Sequence, residues 1–263
     1  LNREAEFFSD QIALGQSIYG RPGSKWAWRR LKLREWLLHW RSKGVVAIGR
    51  HDVPKGFLMS GKGFWQAPCL DPVSEGWTYS ASRSVHFIGN RGHYPNGLAM
   101  EWLASRLSPE LQKLDPLIRI RIVGCSPEHA PEHWKQPNID FLGYGDESLA
   151  HQQFRSEDLF IAPIQNNFGA KFKVAEAISY GQPLLATEMA MSGVSYLPWT
   201  QPIQLDQPEA AARRIVALVD DPASLKAMSD RILEDAAAYR DSCRTVWGTM
   251  LRQMLGRPTD ISP

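Results

Sequence analysis

Cysteine is scarce in this chain. Cys69, Cys125 and Cys243 are the only three among 263 residues. They are odd in number, widely scattered and without metal-ligand spacing, which argues against a disulfide framework or a zinc site and fits a reducing compartment. Long apolar runs are missing as well. No stretch approaches the roughly 18 residues a membrane-spanning helix needs. The opening Leu1-Asn2-Arg3-Glu4-Ala5-Glu6 lacks the pattern of a secretory leader, so the expected location is the cytoplasm. Charge of one sign is not in excess: 30 Lys and Arg face 28 Asp and Glu, a formal net charge of +2. That balance gives no case for a dedicated nucleic-acid binder. There is no internal repeat and no low-complexity tract. What is present is an ordinary globular composition, 43% hydrophobic, long enough for one large domain or one domain plus an appendage.

Catalytic constellations are also sparse. His93, His129, His133 and His151 fall at spacings that match no common metal motif. No Ser-His-Asp set can be argued from the order of residues. No metal is expected.

The pattern of residues 83–200 alternates strand and helix. Expected strands are Val85–Gly89, Ile118–Gly124, Ile139–Leu142, Leu159–Pro163, Pro183–Thr187 and, more weakly marked, Pro202–Leu205. Most are apolar on successive residues, as parallel strands covered on both faces are. Between them the pattern predicts helices over Asn96–Leu107 and Glu147–Arg155, a short turn near Pro131–Trp134, and a helix over Ala170–Tyr180. Further helices follow over Pro208–Asp220, Ala223–Tyr239 and Arg240–Leu255. Such alternation predicts an α/β fold with an open, doubly wound parallel sheet. Ligands of these sheets bind beyond the carboxyl ends of the strands, where Gly89, Gly124, Gly143, Pro163 and Thr187 fall.

The stretch Asn166–Thr187 carries the most chemistry. It reads as loop, helix, turn and buried strand. Gly169 allows close approach of the backbone to a ligand. The N-terminus of the following helix, with Ala170 and Lys171, offers free N–H groups and a partial positive charge to an anion. Lys173 adds a full charge there. Glu176 lies one turn on, where a carboxylate can accept two hydrogen bonds from a ribose diol. Val174, Ala177 and Ile178 form the buried stripe, so Lys173, Glu176 and Tyr180 are expected to face a cleft or solvent. Gly181 suits a C-cap, with Pro183 beyond the helix end. A lone Lys-x-x-Glu is usually a surface pair worth ~0.2–0.5 kcal/mol. Here it stands between a strand ending in Ala162-Pro163 and one ending in Thr187.

This run resembles the donor-site signature of GT-B glycosyltransferases, in particular the retaining family four. The shared pattern is a strand ending in Ala-Pro, here Asp158–Pro163, then Gly-x-x-x-Lys-x-x-Glu-Ala, Gly-x-Pro and a strand ending in Ala-Thr. Met191-Ser192-Gly193-Val194 resembles the loop that follows. Val85–Asn90 resembles the first strand and glycine turn of such a domain, and Tyr94-Pro95-Asn96 the start of its helix. Together these motifs cover roughly residues 83–240. The resemblance implies a Rossmann-like C-terminal, donor-binding domain over residues 81–263. Residues 1–80 would be the remnant and linker of a first domain, so the chain is expected to be a truncated or reduced enzyme. Where the family often has Arg, this sequence has Asn90, with Arg91 one place later. Where it often has a first glutamate, separated from the second by seven residues, this sequence has Phe168.

The implied reaction is transfer of a sugar from a nucleotide diphosphate sugar to a glycan or lipid-linked acceptor hydroxyl, with retention and no metal. The resemblance assigns the leaving diphosphate to Lys173, helped by Lys171, Gly169 and Ala170. It gives the ribose to Glu176, with Gly89, Asn90 and Arg91 along the diphosphate. Gly124 stands at the neighbouring strand end, and Tyr144 is placed to stack on the base. Two alternatives stay open: a non-catalytic nucleotide-sugar or partner-binding module, and a nucleotide-sugar epimerase. Residues 24–43 add a separate expectation. They hold seven Lys and Arg against Glu35, with Leu33, Trp36, Leu37 and Trp40 at helical spacing. Such a helix can lie on an anionic membrane face, which would make the protein peripheral to the inner membrane. It can equally pack its tryptophans internally. Val45–Ile48 then reads as a short strand.

Overall fold

The structure is a computed structural model and describes residues 25–42, 44–48, 63–165, 171–194 and 196–255. Two compact units divide the chain, one made of residues 1–67, 168–170 and 242–263, the other of residues 68–167 and 171–241.

In the first unit, helix α1 spans Lys25–Arg41. It has no Gly or Pro, and Leu, Lys and Arg are good helix formers. Its apolar stripe is on the surface: Leu33, Trp36, Leu37 and Trp40 are all exposed, and so is Leu38. Trp36 and Trp40, one turn apart, stack at 6.3 Å. Strand β1, Val45–Ala47, pairs in parallel with β2, Gly63–Trp65, a strand the sequence pattern does not announce. The Trp65 indole N–H donates to the Ile48 carbonyl at 2.9 Å.

The second unit holds a five-stranded sheet. Its elements in chain order are β3 Ser84–Ile88, α2 Tyr94–Trp102, α3 Ser108–Leu114, β4 Arg119–Val123, β5 Ile139–Phe141, α4 Glu147–Ser156, β6 Leu159–Ala162, α5 Phe172–Ser179, β7 Leu184–Ala186, α6 Glu188–Met191, α7 Pro208–Val219 and the first part of α8, Pro222–Leu255, whose residues from 242 on belong to the first unit. The strand order is β5-β4-β3-β6-β7, and every pair is parallel. Val85 sits opposite Ile120 on one side and Leu159 on the other. All of β6 and β7 is buried, which accounts for their unbroken apolar sequence. The chain starts at β3, steps out to β4 and β5, then crosses back to β6. The direction therefore reverses between β3 and β6, and the crevice beyond their carboxyl ends is the place where such sheets take ligands.

Three expectations shift. The helix expected over Asn96–Leu107 begins at Tyr94 and continues to Leu114 through a π-helical turn, Leu103–Leu107. Pro109 lacks the N–H that an unbroken α-helix would use there, and the wider turn before it absorbs the loss. Pro202–Leu205 is not a strand. Ile203 N–H donates to Ala186 carbonyl at 2.9 Å, but Pro202 has no N–H to extend a ladder. The two helices expected after residue 223 are one, α8, because Tyr239-Arg240 contains no breaker.

The opposite edge of the sheet is pinned by charge. Ala81 and Arg83 adopt left-handed φ values of 55° and 46°. The turn is held by Arg83 N–H donating to Asp158 Oδ2 at 2.7 Å and by Ser82 Oγ accepting from Asp158 N–H at 3.1 Å. The Arg83 guanidinium binds Asp115 and Asp220. Within the sheet, His86 is fully buried between Phe154 and Phe160, at ring separations of 5.4 and 5.3 Å. Burial, and next the charge of Arg121, push its pKa down to about 3, so it is neutral in the fold.

Candidate functional site

The carboxyl ends of β3, β4 and β5 are stitched by backbone hydrogen bonds through three glycines. Gly89 N–H donates to Val123 carbonyl at 2.9 Å, Arg91 N–H to Gly124 carbonyl at 2.8 Å, and Gly124 N–H to Gly143 carbonyl at 2.7 Å. Gly124 has φ +100°, and a Cβ there would lie 2.2 Å from the Gly89 carbonyl oxygen. No other residue fits that position. The result is a flat backbone shelf after β3, with Asn90 folded over it. Asn90 Oδ1 accepts from Gly92 N–H at 2.7 Å, an Asx turn.

Facing this shelf is the start of α5, the helix that follows β6. Lys171 is its N-cap and is buried, and the first turn has no acidic residue. Lys173 follows within the first turn. Its ammonium donates to Asn96 Oδ1 at 2.5 Å and lies 4.7 Å from the centre of the Phe87 ring. A Cβ on Gly89 would stand 2.8 Å from the same nitrogen. Lys173 therefore sits directly over the Gly89 backbone. Burial, and next the charge of Lys171, lower its pKa to about 8. Among the described residues no carboxylate pairs with it. A cation at a positive helix end, next to a second lysine, is electrostatically disfavoured, and an anion relieves that cost. Gly193 also approaches, its notional Cβ being 3.9 Å from Lys171 N.

The far end of α5 closes as expected. Gly181 has φ +67°, its N–H donates to Ile178 carbonyl at 2.9 Å, and Gln182 N–H donates to Ala177 carbonyl at 3.0 Å. This is a Schellman cap. Tyr180, expected to face the cleft, is instead buried, and its ring stacks on Phe154 at 5.2 Å. The reason is that α5 is covered on almost every side. Residues 73–77 run along its end, with Val73 N–H donating to Ser179 carbonyl and Trp77 N–H to Tyr180 carbonyl. Glu176 is half-buried one turn after Lys173.

The other candidates are arranged around this centre. The Arg91 backbone belongs to the shelf, but its guanidinium lies over the Trp134 ring at 5.7 Å. Tyr144 is exposed beside β5, with the His129 ring 6.5 Å away. Gly169 and Ala170, with Phe168, lie outside the described residues. The Thr187 hydroxyl caps α6, accepting from Ala190 N–H at 3.2 Å, and the loop expected over Met191–Val194 begins at the end of that helix, with a turn at Ser192 and Gly193.

Two residues escaped the sequence reading. Asn96 was read only as part of a helix start. It is buried and touches both the shelf and Lys173. His93 was set aside with the other histidines. Its pKa is lowered by burial and then by Lys173 and Lys171, which puts it within electrostatic reach of both lysines. Among the described residues no group of three or more His, Cys, Asp or Glu could hold a metal ion.

Comparison with known proteins fits this geometry. The family described as glycosyl transferases group 1 matches residues 82–221, just over half of the chain. No curated protein matches it in sequence. Among solved structures, S. aureus TarM, crystallised with fondaparinux, α-GlcNAc-glycerol and UDP, superimposes with a TM-score of 0.63 at 11% identity over 81% of this chain. The pneumococcal O-GlcNAc transferase GtfA, with UDP and GlcNAc, gives 0.58 at 14% identity over 86%. Anabaena HepE, with UDP and glucose, gives 0.59 at 11% identity over 83%. The chain spans 46%, 48% and 66% of those three chains respectively. At these identities the likeness shows the shared GT-B fold.

Proposed function

The chain belongs to the group 1 glycosyl transferases, and from that premise we propose that its second unit binds the diphosphate of a nucleotide sugar and supports transfer of the sugar to an acceptor hydroxyl. The observation that carries this reading is Lys173: a desolvated ammonium beside Lys171 at a helix N-terminus, set over a glycine shelf, with no carboxylate partner among the described residues. Such a site is built for an anion that brings its own negative charge.

In the proposed reaction the bond between the anomeric carbon and the diphosphate oxygen breaks. A new bond forms to the acceptor oxygen, whose proton passes to the leaving diphosphate. Negative charge gathers on the leaving diphosphate as the bond breaks. Lys173, with Lys171 and the N-terminus of α5, is pre-positioned to stabilise that charge. Gly89 and Asn90 line the diphosphate from the opposite side, and Gly124 keeps them in place. Glu176 takes the ribose diol, and Tyr144 stacks on the base. Lysine and helix end together make a metal unnecessary in this scheme. UDP is the nucleotide we propose, because it occurs in the crystals of TarM, GtfA and HepE. Retention and a hexose donor belong to the same proposal.

Calorimetry with UDP, GDP and ADP tests it. UDP is expected to bind most tightly, and Lys173→Ala to weaken that binding at least tenfold. Failure of all three nucleotides to bind would remove the donor site.

For the acceptor we propose a glycan or lipid-linked hydroxyl. The exposed Leu33, Trp36, Leu37, Leu38 and Trp40 of α1, on a strongly basic helix, favour contact with an anionic lipid surface at the inner face of the membrane. No described helix is long and apolar enough to cross a bilayer. Sedimentation with vesicles rich in anionic lipid is expected to capture the protein and to release it when Trp36 and Trp40 are both replaced by Ser. Equal capture by neutral vesicles, or by neither, contradicts the lipid contact.

A further inference from the structure

Asn96 is buried at the start of α2, and its amide is engaged through both its nitrogen and its oxygen. Its Nδ2 donates to the Asn90 carbonyl at 2.9 Å, and its Oδ1 accepts from the Lys173 ammonium at 2.5 Å. The two bonds join three separate pieces of chain: the shelf after β3, the N-terminus of α2 and the N-terminus of α5. Pro95 precedes it in the first turn of α2 and fixes the local backbone. A Cβ on Gly89 would meet Asn96 Cγ at 2.7 Å, so the amide lies directly against the Gly89 backbone.

We infer that Asn96 is a positioning residue: it holds the Lys173 ammonium over Gly89 in the empty site and presents it to the diphosphate of an incoming nucleotide. This rests on the donor-site reading of Lys173. A neutral acceptor suits the task. It orients the ammonium without neutralising it, whereas a carboxylate would form an ion pair that a phosphate has to displace. The charged groups around Lys173 sharpen the point. Lys171 caps the same helix, and His93 lies on the loop before α2, with both its burial and the two lysines lowering its pKa. Arg91 is turned towards Trp134, and Glu176 follows one turn along α5. The Asn96 amide holds the ammonium by a hydrogen bond without neutralising it.

The test uses Asn96→Ala and Asn96→Asp in the full 263-residue chain. UDP binding is measured by calorimetry at pH 7 and 8.5, in two buffers of different ionisation enthalpy. Lys173 is followed in parallel by NMR of ¹³C-lysine, assigned with Lys173→Arg. For wild type the expected result is UDP binding with net proton uptake at pH 8.5, because the bound phosphate draws a proton onto Lys173. Asn96→Ala should weaken UDP about five- to tenfold with an unchanged melting temperature. Asn96→Asp should weaken it more, move the Lys173 titration to higher pH and abolish the proton uptake. If both variants bind UDP as wild type does, the assignment of Asn96 is overturned while the donor site stands. The same holds if Asn96→Asp leaves the Lys173 titration where it was. Wild type that binds no UDP, with Asn96→Asp still moving Lys173, overturns the donor reading and the role of Asn96 with it.

Discussion

At the scale of the residue, the site turns on one ammonium group kept in an environment that disfavours its charge. Burial and Lys171 lower the Lys173 pKa to about 8. The protonated form that attracts an anion is complete well below that value and is lost as pH rises through it. UDP affinity is therefore expected to be level from pH 6.5 to 7.5 and to fall by about threefold or more by pH 8.5, a change that titration calorimetry resolves. Because the fold pays to desolvate this charge, Lys173→Met should not destabilise the protein. Its melting temperature is expected to match or exceed wild type while UDP binding weakens at least tenfold, the exchange seen when a functional group is strained for its task. A drop of several degrees would mean that Lys173 is structural.

At the scale of the element, two glycines at neighbouring strand ends have opposite assignments. Gly124 lies at φ +100°, with backbone in the way of any Cβ. Gly124→Ala is expected to cost about 3 kcal/mol, read as a lowered urea midpoint. The atoms nearest to a Cβ on Gly89 belong to side chains, those of Asn96 and Lys173, and not to backbone. Gly89→Ala should keep its urea midpoint within about 0.5–1 kcal/mol but weaken UDP strongly, because the new methyl displaces the ammonium.

The same elements show what can be read without coordinates. The five strands of the sheet were legible because parallel strands covered on both faces leave continuous apolar runs. The C-cap at Gly181 was legible because only glycine readily takes that turn. Tyr180 was misread because helical periodicity assumes one covered face, and α5 is wrapped on nearly all. Asn96 was invisible for a different reason: its partner Lys173 is 77 positions away. No local spacing encodes a contact that arises only when β3 and β6 lie side by side. The exposure of the α1 stripe likewise depends on packing, not on the helix itself.

At the scale of the whole molecule, stability and ligand chemistry occupy different layers of one sheet. The interior holds a neutral His86 with a pKa near 3. An unfolded histidine titrates near 6.5, so the unfolded chain binds more protons between those values and stability falls as pH drops from about 6.5 towards 3. The limiting slope is about 1.4 kcal/mol per pH unit for one proton. His86→Phe, which preserves the ring packing with Phe154 and Phe160, is expected to flatten that part of the acid-denaturation curve. An unchanged slope would mean that His86 is protonated in the fold. The edge of the sheet at the carboxyl ends carries the ligand chemistry, at the point where strand order reverses between β3 and β6.

The central claim is that Lys173 meets the diphosphate at that edge. The most direct measurement is ³¹P NMR of UDP bound to wild type and to Lys173→Met, with nucleotide concentrations set so that both are saturated. The β-phosphorus resonance of the wild-type complex is predicted to differ clearly from that of the Lys173→Met complex, with the α-phosphorus much less affected. Identical β-phosphorus resonances in the two saturated complexes would contradict the account.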